Sequence, residues 1–366
     1  MRHSLNALVR LAALLTLVSG TVAVAMARLA PTPAHFRMAT PPHYGVINGF
    51  VMESELNTPR FLDAATGAVR KLVLPEGDRF EYGACSPWVD EQGESQVVGR
   101  WMREATASGT PHQRLYDSFG LARYALPSGR VLNRIALEVL PLSHPCWFPD
   151  MTARVIYAGG DGHLYLLDFT ATDRADAGDD PTPRRVLWQC ARPGAGLMIA
   201  DPVWSGDPRL GRRLIVSLRY DGGAASGAMK PAQLWWVSLS PDGRAVVDAG
   251  ALTGGGTSAE AGRPNEERFP NLAATPDGTL VLAHFARATV SNEWTLRLSP
   301  VDFDGTGGAP RVRPGSDRVI ADGLVSVLTP FSADGRWLYG IPRHSPSDQV
   351  VRFPTTSAAA LTSPAD

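Results

Sequence analysis

Spread over 366 residues, 35 basic and 36 acidic side chains leave a formal charge of −1, a balance that supplies no electrostatic footprint for nucleic acid or for an anionic membrane surface. The length is ample for one large domain with several cores and needs no covalent staple. The three cysteines, Cys85, Cys146 and Cys190, include no Cys-x-x-Cys pair, so the spacing of a zinc or thiol-redox site is absent and buried free thiols are the expectation.

Residues 1–27 read as a secretory signal peptide. Arg2 and Arg10 precede an apolar or small stretch, Leu11 to Ala27, which ends on the small-x-small site Ala25-Met26-Ala27. The stretch is long enough that an uncleaved N-terminal anchor is the alternative. Residues 28–42 form a linker. Within it, His35-Phe36-Arg37-Met38 reads as an extended piece that could complete the last unit of a closed ring, since closure removes exposed strand edges.

From residue 43 a phrase recurs: a proline, an aromatic, a polar turn and then an aliphatic run. Its copies are Ser86-Pro87-Trp88, Pro145-Cys146-Trp147, Pro202-Val203-Trp204 and Thr329-Pro330-Phe331, with a degenerate copy at Phe269-Pro270-Asn271. Cys85 to Cys146 is 61 residues, and a second set of landmarks, the turn glycines, repeats Gly67 to Gly129 and Gly243 to Gly305 at 62 each. A shared period of this length points to a propeller or solenoid.

Each period is filled with strand. Val155-Ile156-Tyr157, His163 to Phe169, Leu214 to Leu218, Gln233 to Leu239 and Trp294 to Leu298 are short β-branched, aliphatic or aromatic runs punctuated by Asp-Gly turns. Third strands are expected at 60–63, 120–124, 163–169, 233–239, 294–298 and 349–353. The expected fold is therefore all-β: a six-bladed β-propeller of four-stranded antiparallel blades over 43–354, followed by a disordered tail at 355–366.

The phrase Leu328-Thr329-Pro330-Phe331-Ser332-Ala333-Asp334-Gly335-Arg336-Trp337 resembles the repeat of TolB-type, WD-like six-bladed propellers of exported bacterial proteins. Asn271-Leu272-Ala273-Ala274-Thr275-Pro276-Asp277-Gly278 is similar but lacks the aromatic. The resemblance implies architecture. It implies little about activity, because the motif is structural.

In a propeller the connections from outer strand to next inner strand gather on one face around the axis. Candidate ligand-binding residues on that face are Glu81, Tyr82, His144, Asp201, Arg263, Glu266, Glu267 and Arg268, with the charged segment 260–268 as the preferred binding loop. Trp88, Trp147, Trp204 and Phe331 are read as structural, packing between blades. No nucleophile elbow and no phosphate loop is present, and Asp302-Phe303-Asp304-Gly305 reads as a hairpin turn rather than a calcium loop. No catalytic residue, metal ligand or cofactor is assigned, although a channel calcium or other divalent ion is compatible with the pattern.

These observations describe a periplasmic or secreted monomer acting as a binding or scaffold module. Its expected partner is an envelope protein or a small-molecule or glycan ligand. A propeller hydrolase or lyase with a metal site in the central channel is the alternative.

Overall fold

The computed structural model describes residues 37–38, 44–46, 59–63, 69–72, 74, 78–90, 93–104, 116–126, 128–148, 152–169, 184–189, 196–204, 213–221, 233–253, 265–288, 294–303, 308–313, 315–325, 331, 335–342 and 351–355. Residues 1–27, read above as a leader, lie outside them, and of the tail expected at 355–366 only Thr355 is described, buried with its hydroxyl donating to the Gly335 carbonyl at 2.5 Å. Among the described residues no helix is long and apolar enough to cross a membrane.

In chain order, β1 (Arg37–Met38) is followed by a three-stranded sheet of β2 (Tyr44–Val46), β3 (Arg60–Asp63) and β4 (Val69–Lys71). The first complete four-strand unit then runs β5 (Asp78–Val89), β6 (Ser95–Glu104), β7 (Tyr116–Leu126) and β8 (Val131–Ala136). The second is β9 (Cys146–Trp147), β10 (Arg154–Ala158), β11 (His163–Asp168) and β12 (Arg184–Gln189). The third is β13 (Gly196–Trp204), β14 (Arg213–Asp221), β15 (Gln233–Leu239) and β16 (Val246–Ala251).

The fourth unit joins β17 (Asn265–Ala274), β18 (Leu280–Ala288), β19 (Trp294–Asp302), the short β20 (Arg311–Val312) and β21 (Arg318–Val325). The end of β21 also pairs β22 (Trp337–Pro342), which pairs β23 (Val351–Pro354). All these pairings are antiparallel, and within each complete unit consecutive strands are neighbours, except that β20 and β21 both pair β19. Four complete blades, rather than six, are present among the described residues; β2–β4 and β22–β23 are the described parts of the remaining periods.

One expectation is corrected at the N-terminus. Arg37 and Met38 pair with Val89 and Trp88 of β5, not with the last strands of the chain. At 12 residues β5 is the longest strand, and its edge away from β6 carries main-chain groups that β1 satisfies.

Burial shows why the sheets stack face to face. Alternate residues of a strand point to opposite faces, yet Val155, Ile156, Tyr157 and Ala158 are all fully buried. Val155 and Tyr157 join a core with Trp88, Val97, Leu121 and Tyr124 of the preceding unit. Ile156 and Ala158 join a core with Leu214, Val216 and Val237 of the following unit. In β14 and β15, Ile215, Leu234 and Trp236 turn instead toward Leu272, Leu280 and Leu282 of the fourth unit. Each sheet is thus covered on both faces by its neighbours, which is how a propeller distributes its cores.

Candidate functional site

The first strands of three units share one defect. In β5 the ladder passes from Glu81 opposite Arg100 to Ala84 opposite Val98, so Tyr82 and Gly83 together face Gly99. In β13 the pair Asp201 and Pro202 faces Val216, and in β17 the pair Phe269 and Pro270 faces His284. Each is a β-bulge, two residues against one, which bends the strand and re-aims a side chain. The sequence permits it because the second bulge residue is glycine or proline; proline has no N–H to leave unpaired. Tyr82 and Phe269 adopt positive φ, 52° and 53°. Non-glycine residues rarely do so, and such strain gathers at functional positions. A Cβ on Gly99 would stand 2.8 Å from the Glu81 carbonyl oxygen, so the first bulge also needs that glycine opposite.

The re-aimed rings meet a third. His144, fully buried two residues before β9, stands edge-on to Tyr82 at 5.4 Å and to Phe269 at 5.9 Å between ring centroids. Its Nδ1 donates to the Gly83 carbonyl at 2.8 Å, which locks the imidazole to the first bulge. Two widely separated chain segments therefore close on an imidazole from a third.

Around these rings the charges are arranged as guanidinium stacks held by carboxylates. Arg100 lies 4.5 Å over Tyr82, pairs with Glu81 and donates to the Pro141 carbonyl at 2.9 Å. Arg268 lies 5.0 Å over Phe269, and Arg287 lies 4.4 Å over Trp294. Glu266 holds both arginines, accepting from Arg268 at 3.2 Å and from Arg287 at 3.0 and 2.8 Å. Burial works to raise the Glu266 carboxyl, but the Arg268 charge and the Arg287 hydrogen bonds prevail and hold it below the usual carboxylate range.

Glu267, the next residue, points the other way, as strand geometry demands. Its Oε2 accepts from Thr253 Oγ1 at 2.6 Å, its carbonyl accepts from Ser217 Oγ at 2.6 Å, and its Oε1 lies 3.6 Å from His284 Nε2.

The structure thus brings together Glu81, Tyr82, His144, Glu266 and Arg268, and sets Glu267 behind them against the third unit. Glu266, Glu267 and Arg268 belong to strand β17 and not to a loop, which corrects the reading of 260–268; Glu266 pairs in register with Arg287, and that cross-strand ion pair favours the ladder. Asp201 is in the β13 bulge by its backbone, while Arg263 lies outside the described residues. Arg100, Arg287, Trp294 and Thr253 were not singled out from sequence. Each is contributed by a partner strand or another segment, and for Arg100 and Arg287 the signal, an arginine across from an acidic residue, exists only once register is known.

The structural aromatics lie where units meet. Trp88 and Trp147 share a core with ring centroids 5.0 Å apart, and Trp147 Nε1 donates to the Ala84 carbonyl at 2.8 Å. Trp204 stands edge-on to Phe148 at 5.3 Å, and Phe331 is buried in the core of the fourth unit. Cys85 and Cys146 are free thiols. Burial pushes the Cys146 thiol up to about 12 and raises Cys85 as well, so neither is a ready nucleophile.

Among the described residues no three His, Cys, Asp or Glu side chains gather as an ion site. Fold and site together define a propeller-like all-β protein with a cluster of aromatic rings and guanidinium groups gathered at the bulges of β5 and β17. No protein-family model and no curated protein sequence matches the chain.

Among solved structures, it is similar to an endo-arabinase from Bacteroides thetaiotaomicron, with 12% identity over 76% of this chain and 95% of that one and a TM-score of 0.42. A chain of a mitotic checkpoint complex has 12% identity over 88% of this chain and 94% of that one, TM-score 0.40. A GH43 protein from Bacillus licheniformis has 11% identity over 78% of this chain and 59% of that one, TM-score 0.41.

Proposed function

We propose that the protein is an exported, monomeric six-bladed β-propeller of the TolB-like, WD-like repeat kind, acting as a binding or scaffold module. Its ligand, a small molecule, a glycan or a segment of an envelope protein, would sit at the mouth formed by Glu81, Tyr82, Arg100, Glu266, Arg268 and Arg287. The leader-like residues 1–27 support export to the periplasm or beyond. The repeat period near 60 residues supports six blades.

The observation that carries this reading is the state of the polar groups. Every described carboxylate at the mouth is already held by a side chain of the protein: Glu81 by Arg100, Glu266 by Arg268 and Arg287. Groups so engaged are poorly placed for general acid or base work. Arginines flattened on aromatic rings, by contrast, present a planar, partly exposed recognition surface. The alternative, a hydrolase or lyase with a metal in the channel, requires carboxylates available to an ion.

Thermal unfolding of the full chain with and without calcium or manganese separates the two. The binding reading expects an unchanged Tm. An ion-dependent rise of several degrees, removed by chelation, would favour the hydrolase.

A further inference from the structure

His284 lies on β18 directly opposite the Phe269–Pro270 bulge. It is 2% exposed, and neither ring nitrogen has a hydrogen-bond partner among the described residues. The charged groups that face it come from three elements. Glu267 of β17 offers Oε1 at 3.6 Å from Nε2, beyond hydrogen-bonding distance. Arg297 of β19 is its register partner. Asp317, just before β21, is already engaged, pairing with Arg297 and accepting from Ser299 Oγ at 2.9 Å. Glu267 cannot swing freely toward the imidazole, because its other oxygen is held by Thr253 and its carbonyl by Ser217.

A neutral imidazole fits this site at the cost of its unmet N–H. An imidazolium fits worse, since it needs two acceptors and finds one carboxylate oxygen at 3.6 Å, too long for a hydrogen bond, and the Arg297 guanidinium nearby.

We propose that His284 is a proton-operated release for the β17 bulge: when it takes up a proton, the β17–β18 ladder opens around Phe269 and frees the ring that closes on His144. Electrostatics point the same way. Burial pushes the imidazole down, Glu267 and then Asp317 pull it up, Arg297 pushes it down, and the result is below the ordinary value. A base held below its ordinary value contributes stability that is present above that value and lost as pH falls. The opening therefore belongs to the acid side of about pH 6.5. The device rests on β17, β18, Arg297 and Asp317 and does not depend on the binding reading.

Amide hydrogen exchange of the full chain, corrected for intrinsic rates, tests it at pH values from about 7.5 to about 5. Peptides over 265–274 and 281–288 are expected to lose protection by up to about tenfold per pH unit, while β7 at 116–126 does not. In His284→Asn the acid-dependent loss disappears. Glu267→Gln keeps an acceptor for Thr253 but removes the carboxylate's upward pull on the folded imidazole, so the loss begins at the same pH, continues past the point where wild type levels off and ends larger; this variant decides the matter if His284→Asn does not fold. An acid response equal in wild type and His284→Asn, a total loss in Glu267→Gln no larger than in wild type, or no acid response in wild type would overturn the proposal.

Discussion

At the scale of single residues, the turn glycines separate backbone strain from packing. Gly278 and Gly335 both have positive φ, 83° and 65°. A Cβ on Gly278 would meet nothing within 4 Å, whereas one on Gly335 would stand 2.1 Å from the Ala274 carbonyl oxygen. Gly278→Ala is expected to cost about 1 kcal/mol and Gly335→Ala about 2–4 kcal/mol, a difference that denaturant unfolding measures directly. Glu266 makes a second prediction. Its carboxyl is held low in the folded state, so the stability it contributes is present above the ordinary carboxylate value and lost as pH falls through the lower, folded one. The Tm of the wild type should therefore fall over that acid window, and that of Glu266→Gln should fall less.

At the scale of elements, the bulges of β5 and β17 are the devices that make the mouth, and they differ in what they carry. Phe269 is 5% exposed, packed on Phe285 and Trp294; Tyr82 is only half-buried. Glycine at either position relieves a strained φ by about 1 kcal/mol, but at Phe269 it also deletes a core ring worth about 3–5 kcal/mol. Phe269→Gly should thus destabilise the fold by roughly 2 kcal/mol more than Tyr82→Gly, by the same unfolding measurement.

The strands themselves were legible because β-branched runs alternate with Asp-Gly turns, and the third strand of every complete unit, β7, β11, β15 and β19, lies on a segment read from that pattern. The bulges were not legible, because a bulge is a property of two strands in register. The proline–aromatic phrase shows the difficulty: Pro202 lies within the β13 bulge, whereas Ser86-Pro87-Trp88 falls beyond the β5 bulge, at a second register shift between Cys85 and Val89. The same phrase marks two ladder positions: it includes Phe269 and Pro270 of the β17 bulge but follows Tyr82 and Gly83 of the β5 bulge.

At the scale of the whole molecule, stability is shared among cores that lie between sheets. Leu166 and Leu167 are neighbours on β11, yet Leu167 belongs to the core shared with the preceding unit and Leu166 to that shared with the following one. Each substituted by alanine should cost about 2–5 kcal/mol. In a sheet with one solvated face one of the two would be nearly neutral. The candidate site also belongs to this scale, since Tyr82, His144 and Phe269 are far apart in sequence and their rings meet only through the packing of separate units. Acidic and aromatic residues before the repeat phrases could therefore be picked out one by one, while their partners Arg100 and Arg287, on second strands, could not.

Whether this cluster binds a ligand is decided by affinity selection of a defined library of glycans, sugar acids and short peptides on the full chain, with retained compounds identified by mass spectrometry and compared with Tyr82→Ala and Arg100→Gln proteins of confirmed fold. Retention of at least one compound class by the wild type, reduced at least about tenfold in both variants, a loss of about 1.4 kcal/mol or more, is the predicted result. Equal retention by all three proteins, or none by the wild type, would contradict it.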